Sequence, residues 1–400
     1  MNKVQDQYEA YPYPERDPKD EAKRLIMGSP SHPFEIDHFL FGGQRDWSRP
    51  LRALVAGGGT GDGLIQLAQM MAQLGRPHQI TYVDLSRASR KVAEARAEMR
   101  KLTGNIRFVT GSLLDAPDLG MFDYIDCCGV LHHLPDPAAG FAALRAALAP
   151  GGGMGFMVYA PHGRSGVYPL QAAFGALYEG LSPKERLKMA RKVVAGLPEG
   201  HPFSGNPNLG DHRQSDAGFY DLLLHSQDRA FSVGELVATM TATGWALSGF
   251  TTPALYDLNR IVRRPDHLDD LAAMGIAEQL RGTIKTHVGY AVAAEEARGP
   301  ASGRDRAQVP HLKGVQPRAL AQAVAQGKPV PATTDGLTVT LDLPRAGAPL
   351  IAAINGRLTL TEIAAAAGMD PIGMGALWAR LEAELGGWGL LLYSGALRGR

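Results

Sequence analysis

Cysteine is almost absent from this chain: there are two, Cys127 and Cys128, side by side. Neighbours on a strand point to opposite faces, so the pair is a poor disulfide candidate. Two thiols with no third cysteine also fall short of a zinc site. They read as small core residues of a protein in a reducing, cytoplasmic setting. Any apolar run of about 18 residues is missing, which argues against a membrane span. The opening stretch MNKVQDQYEAYPYPERDPKDE lacks the apolar segment of a secretory signal. No sign of charge dominates either: 41 Lys and Arg stand against 40 Asp and Glu, a formal net of +1. No global field therefore favours nucleic acid or an anionic membrane. What is present is ordinary for a globular protein. Hydrophobic residues make up 45% and charged residues 20%, enough for a sizeable core. A length of 400 residues implies about two or three domains.

The first 50 residues are rich in proline and aromatics and read as an arm or short helical cap. From Arg52 short apolar runs alternate with helical patterns. RALVAG, QITYVDLS, NIRFVTG, FDYIDCCGV and GGGMGFMVYA read as strands, with helices between them. Nearly all-apolar strands that alternate with helices imply a parallel sheet buried on both faces. An insertion at 160–230 breaks the rhythm. It is followed by a capping-box helix from Ser232, the strand WALSGF and a last strand, HVGYAVAAE. Residues 51–297 form one α/β domain on this reading. Residues 298–331 read as a solvated linker with six Lys or Arg and one acid. Residues 332–400 read as a small separate α+β module.

The stretch LVAGGGTGDG, Leu54 to Gly63, places glycines between a strand and a helix. Such a turn lets a ligand approach the backbone at a helix N-terminus. It has neither the G-x-G-x-x-G spacing of a dinucleotide site nor the G-K-[ST] of a P-loop. It does have G-x-G-x-G: Gly57, Gly59 and Gly61. An acid ends the second strand in YVDLS, and GSLLD, VLHHLPDP and LAPGGG follow in order. This series resembles the class I S-adenosylmethionine-dependent methyltransferases, closely over 52–159 and more loosely to 295. The resemblance implies a Rossmann-like, doubly wound α/β sheet with a helical lid insertion. It implies S-adenosylmethionine as cofactor and S-adenosylhomocysteine as product. Gly57, Gly59, Gly61, Asp62, Asp84, Leu85, Ser112, Leu113 and Gly129 would hold the cofactor. Asp84 would take the ribose hydroxyls, and Ser112 with Leu113 would meet the adenine. Two departures stand out. Val55 occupies the place of the acid that the family carries two residues before its first motif glycine, toward the methionine end. Asp62 is the expected substitute. Ser112 stands where an aspartate is common.

For the chemistry, His133 lies at the carboxyl end of the fourth strand, where ligands bind in open parallel sheets. His133, Asp221 and His225 are the expected catalytic residues. The plain alternative is histidines that only pack or bond backbone. Tyr11, Tyr13, Tyr159, Arg164, Tyr168 and His212 are the expected substrate-side residues. No H-E-x-x-H or cysteine pattern supports a metal, and none is expected. The insertion reads as a lid over the methyl donor, with a solvated polar cap as the alternative.

The tail, with PLIAAINGRLTLTEIAAAAG, is similar to that of bacterial methyltransferases with a regulatory region, among them rickettsial protein-lysine methyltransferases. That resemblance implies a winged-helix-like module and a protein acceptor such as lysine. A small-molecule N-, O- or C-methyltransferase is the rival, and a cofactor-binding scaffold without turnover is the third reading. The third helix of the module holds one Arg against two Glu, so no DNA is expected. A protein-contact or homodimer role fits better.

Overall fold

The computed structural model of the chain describes residues 3–398. Its centre is a seven-stranded sheet of β1 (Leu51–Ala56), β2 (His78–Asp84), β3 (Ile106–Thr110), β4 (Phe122–Cys128), β5 (Leu148–Tyr159), β6 (Trp245–Phe250) and β7 (Thr286–Ala293). The order is β3-β2-β1-β4-β5-β7-β6. The first five strands are parallel, and β7 runs antiparallel between β5 and β6. The expected doubly wound α/β sheet is therefore the observed one. The chain reverses direction across the sheet between β1 and β4, and the carboxyl ends of those two strands open onto a crevice.

Both faces of the sheet are covered, which is why its strands are apolar almost throughout. One face carries α2 (Pro33–Leu40) and α3 (Asp62–Gln73), whose Leu64, Leu67 and Met71 share a core with Leu51, Ala53 and Tyr124. The helices Pro137–Ala146 and Val233–Ala242 cover the other. There the buried Trp245 donates its indole N–H to the carbonyl of Phe141 at 2.9 Å, so its one polar atom is satisfied.

The N-terminal fifty residues hold α1 (Lys3–Ala10) and α2, with a short helical turn at Pro18–Ala22 between them. The insertion forms the helices Val167–Leu177, Pro183–Ala195, Asp211–Gln214 and Asp216–Leu223. It has an apolar core of its own, including Val167, Phe174, Phe219 and Leu223.

The region read as a linker is structured. Residues 310–312 form β8, which pairs antiparallel with β11 (Leu391–Tyr393), and Pro317–Ala325 is a helix. Arg298 is half-buried and donates to the carbonyls of Leu40, Gly151 and Gly152. The tail adds the hairpin β9 (Pro331–Thr334) and β10 (Leu337–Thr340) and three helices at Ala348–Ala353, Leu360–Ala366 and Pro371–Gly387. The winged-helix expectation is not confirmed: among the described residues no hairpin follows the last helix, and β11 returns to β8 instead. Nor is the tail a detached unit. Leu320, Trp378 and Leu385 share one apolar cluster with Phe141 and Trp245. Asp37, fully buried on α2, accepts from Trp47 Nε1, Ser394 Oγ and the backbone N–H groups of Arg45 and Gly395. One carboxylate thus ties the N-terminal cap to the C-terminal strand.

Candidate functional site

A cavity of about 1050 Å³ opens at the carboxyl ends of β1, β2, β4 and β5. The glycine loop forms its floor. Gly57 and Gly59 have φ of +69° and +51°, a conformation that disfavours other residues. A Cβ on Gly57 would lie 2.6 Å from the side chain of Val130, and one on Gly59 would lie 2.9 Å from the carbonyl oxygen of Tyr13. The loop is therefore bare because protein packs on it from two sides while its cavity face stays open. It leads into the N-terminus of α3, whose first turn has backbone N–H groups free of intrahelical partners.

At the end of β2, Asp84 is held by two backbone donors. Its Oδ2 accepts from Gly59 N–H and its Oδ1 from Ser86 N–H, both at 2.8 Å. Each oxygen keeps a further lone pair, and the side chain lines the cavity. Burial raises its pKa, against the opposing effect of the two N–H groups. Ser112 and Leu113 line the same end. The Ser112 hydroxyl accepts from Leu114 N–H as a helix N-cap, so its acceptor capacity is partly used.

The N-terminal arm covers the cavity. Thr60 donates to the carbonyl of Pro14 at 2.6 Å. Arg16 holds Asp62 through two bonds of 2.9 and 2.6 Å. The buried Arg96 of α4 (Arg87–Met99) donates to Glu21 and Asp62, each at 2.7 Å, and to the Thr60 carbonyl at 2.8 Å. Asp62 therefore does not fit the role of substitute for Val55. Both its oxygens are tied to arginines, Oδ1 to Arg16 and Arg96 and Oδ2 to Arg16, which also hold its pKa down against burial.

Another carboxylate lies at that place. Asp126 of β4 is the register partner of Val55 on β1. It is 2% exposed and lines the cavity. Ser29 and Ser31 donate to its Oδ2. Its Oδ1 has no hydrogen-bond partner. Burial raises its pKa to about 6.

The opposite end is made by the lid, the arm and the loop after β4. The backbone of Gln227 clamps two histidines. Its N–H donates to His225 Nδ1 at 3.0 Å, and its carbonyl meets His133 Nδ1 at 3.0 Å. An N–H only donates and a carbonyl only accepts, so the network assigns both tautomers. His225 carries its proton on Nε2 and gives it to Tyr8 Oη at 3.1 Å, and Tyr8 donates to Asp221 Oδ1 at 2.9 Å. His133 carries its proton on Nδ1, which leaves a lone pair on Nε2. The two rings stack with centroids 3.9 Å apart. Burial pushes the pKa of His225 well down, and it raises that of Asp221. His133, Asp221 and His225 lie close enough together to hold a metal ion. The Gln227 N–H blocks one nitrogen of His225 and fixes a proton on the other, so His225 offers no lone pair in this arrangement.

Of the expected residues, Gly57, Gly59, Asp62, Asp84, Leu85, Ser112, Leu113, Gly129, Tyr13, His133, Tyr159 and Asp221 line the cavity. Gly61 caps α3 just outside it. His225 and Arg164 stand one layer back. Arg164 stacks on the ring of Tyr159 at 3.3 Å and lies 3.4 Å from Asp228. Tyr168 points to the same buried group, its hydroxyl without a partner. Two expected substrate-side residues face elsewhere. Tyr11 stacks on Tyr220 of the lid, and His212 packs against Phe203. Of the two tyrosines in YPYP only Tyr13 turns inward. Asp126, Ser29 and Arg16 line the cavity and were not among the expected site residues. For Asp126 the signal was present: a carboxylate inside the apolar run FDYIDCC is buried at a cost unless something pairs with it.

Comparison with known proteins agrees with this geometry. The family model described as methyltransferase domain matches residues 54–154. An uncharacterised protein of Synechococcus sp. is 30% identical over 269 residues, covering 66% of this chain and 63% of that protein. A ubiquinone biosynthesis O-methyltransferase of Alkalilimnicola ehrlichii is 31% identical over 182 residues, covering 42% of this chain and 71% of the enzyme. The corresponding enzyme of Psychrobacter cryohalolentis is 36% identical, and the chain covers 36% of it. The chain thus spans less than two thirds of the cyanobacterial protein and about a third of the Psychrobacter enzyme. Among solved structures, PKMT2 from Rickettsia typhi matches 93% of this chain and 77% of its own, with a TM-score of 0.62 at 14% identity. That likeness is one of fold and extends beyond the sheet into the tail.

Proposed function

The chain belongs to the class I S-adenosylmethionine-dependent methyltransferases, and on that premise we propose that it methylates an amine, with a protein lysine side chain as the acceptor. The residues present fit the cofactor. The bare glycine loop, the strand-end carboxylate Asp84 and the unpartnered Asp126 Oδ1 offer a cradle, a diol acceptor and an acceptor for a cationic donor. When bound, the cofactor supplies an electrophilic methyl group on a sulfonium.

The observation that carries the acceptor reading is the lining of the cavity. Five carboxylates line the cavity with one arginine, Arg16; with Asp62 held by that arginine and Asp84 and Asp126 at the cofactor end, Asp211 and Asp221 are the ones left for an acceptor. At the lid end Tyr8, Tyr13 and Tyr159 add three aromatic rings beside Asp211 and Asp221. Carboxylates and ring faces together favour a cation, such as an ammonium. An ammonium must lose a proton before it attacks, and the His133 Nε2 lone pair is the group placed to take one. Tyr8, held between His225 and Asp221, keeps its proton and fixes the carboxylate.

One observation favours a small-molecule acceptor instead. The arm, through Tyr8, Tyr13 and Pro14, closes over the cavity, and enclosure suits a metabolite. The volume exceeds that of a typical single-ligand pocket, ~300–1,000 Å³, and leaves room for cofactor and acceptor together. A cytoplasmic setting belongs to the proposal; among the described residues no helix is long and apolar enough to cross a membrane.

The test is transfer of radiolabelled methyl groups into a cell extract, split into protein and small-molecule fractions. Label recovered as methyl-lysine after protein hydrolysis supports the proposal. Label in the small-molecule fraction moves the assignment to a metabolite. No transfer by a protein that binds S-adenosylhomocysteine would leave a binding protein without turnover.

A further inference from the structure

We propose that Asp126 anchors the α-ammonium group of S-adenosylmethionine, in the place beside the glycine loop where Val55 offers no acid. The inference rests on the cofactor assignment above.

Three observations carry it. The first is position. Val55 and Asp126 are paired residues on adjacent parallel strands, so their side chains leave the sheet side by side. A carboxylate at 126 reaches the region that one at 55 would reach.

The second is an unmet demand. A buried carboxylate is costly unless both oxygens are paired. Oδ2 of Asp126 has Ser29 and Ser31, whereas Oδ1 has no protein donor in hydrogen-bond geometry; the backbone N–H of Cys128 adds only a favourable influence on the carboxylate. Among the described residues that line the cavity no cation is available to it, because Arg16 is bound to Asp62. A hydrogen-bond donor on the ligand would meet that demand. The surroundings keep the carboxylate accessible: a Cβ on Gly63, in the first turn of α3, would collide with Asp126 Oδ2 and lie 2.8 Å from Ser29 Oγ.

The third is the chemistry of the ligand. S-adenosylmethionine has two cationic centres. The sulfonium has no hydrogen to donate, while the α-ammonium has three. An oxygen that lacks a hydrogen-bond donor selects the ammonium. Its charge would also hold ionised a carboxyl that burial has moved up to about 6.

The experiment is calorimetric titration of the full chain and of Asp126→Asn with three probes. S-adenosylhomocysteine has the ammonium without the sulfonium, S-adenosylmethionine has both, and 5′-methylthioadenosine has neither. Asparagine keeps the volume and an oxygen for the two serines. The expected result is an affinity loss of about 10- to 100-fold for the first two, the loss of a charged hydrogen bond, with the third unchanged. A loss confined to S-adenosylmethionine would point to the sulfonium and overturn the assignment. Equal affinities of variant and wild type, or an equal loss for all three probes, would overturn it too. Wild-type protein that binds none of the probes would bring down the cofactor reading and this inference with it.

A measurement on wild-type protein needs no variant. Affinity for S-adenosylhomocysteine should fall about tenfold per pH unit below pH 6, because the proton on Asp126 must leave before the ammonium binds. Affinity for 5′-methylthioadenosine should not follow it. The titratable groups on the Asp126 side of the sheet are Tyr124 and Cys128 of β4 and Tyr290 of β7, and Cys127 on the other face is its neighbour in the chain. Burial raises all four above their usual values, so they stay protonated and neutral through that range. An affinity for S-adenosylhomocysteine that is flat between pH 7 and 5 would refute the role of Asp126.

Discussion

Replacing Arg96 by Met should free the N-terminal arm without unfolding the sheet. Arg96 is fully buried and joins three segments: α4, the arm at Glu21 and the start of α3 at Asp62. Removing one partner of a buried ion pair typically costs about 3–5 kcal/mol, because a charge is left without compensation. Here both acids keep a second arginine, Arg100 for Glu21 and Arg16 for Asp62. Met also fills the volume of the aliphatic stem. The cost should therefore fall to about 2–3 kcal/mol, and it should appear as local opening of the arm. Hydrogen exchange reads this directly. The amides of Lys23 and Arg24, bonded to the Asp20 carbonyl, should exchange about 30- to 150-fold faster. Amides of β1 and β4 should keep their wild-type rates. The exposed pair Arg49–Asp46 is the control, and Arg49→Met should change nothing. Unchanged exchange at residues 18–24 in Arg96→Met would show that the latch holds nothing, and the account of how the cavity is covered would fail.

Other perturbations follow the same logic. Asp84→Asn puts an amide where Gly59 N–H and Ser86 N–H need acceptors. It should weaken S-adenosylhomocysteine binding by about 1.5–3 kcal/mol in calorimetry, and an unchanged affinity rejects Asp84 as the ribose group. Asp37→Ala strands the Trp47 indole N–H, the Ser394 hydroxyl and two backbone donors. It should cost about 2–4 kcal/mol in urea unfolding, and a neutral result would free the tail from the N-terminal cap. Tyr8→Phe breaks the bridge between His225 and Asp221. It should lower kcat several-fold while S-adenosylhomocysteine affinity stays put; a fall in affinity alone would move Tyr8 to cofactor binding. Asp126→Asn should raise the stability of the ligand-free protein above pH 6. A carboxyl of pKa about 6 folded and ~3.9 unfolded binds more proton when folded, so its contribution is lost as pH rises through 6. The gain is at most about 3 kcal/mol at pH 7 and vanishes near pH 4. Equal melting temperatures of variant and wild type at pH 7.5 would contradict this.

The strands, most helices and the order of the α/β core were legible because their signals are local. An apolar run bounded by glycines makes a strand wherever it lands, and Ser232 with Glu235 forms the capping box that its spacing announces. The glycine spacing located the cavity for the same reason, since φ above zero is a demand of single residues. Charge satisfaction depends on partners far away in the chain. Asp62 looked free in sequence, yet Arg16 and Arg96, 46 and 34 residues away, consume it. Asp126 looked like part of a core strand, and only the register with Val55 and the reach of Ser29 and Ser31 expose its open oxygen. The tautomers of His133 and His225 hang on one backbone amide of the lid. The tail misled for a related reason: its helices follow their own capping signals, but β11 pairs with β8, where Leu392 lies opposite His311, 81 residues earlier, and no local pattern announces that pairing. Sequence alone determined which elements form and where a ligand meets the backbone, because periodicity and backbone conformation are properties of short stretches. Which charges remain open to that ligand was decided only when the tertiary structure brought distant donors and acceptors together.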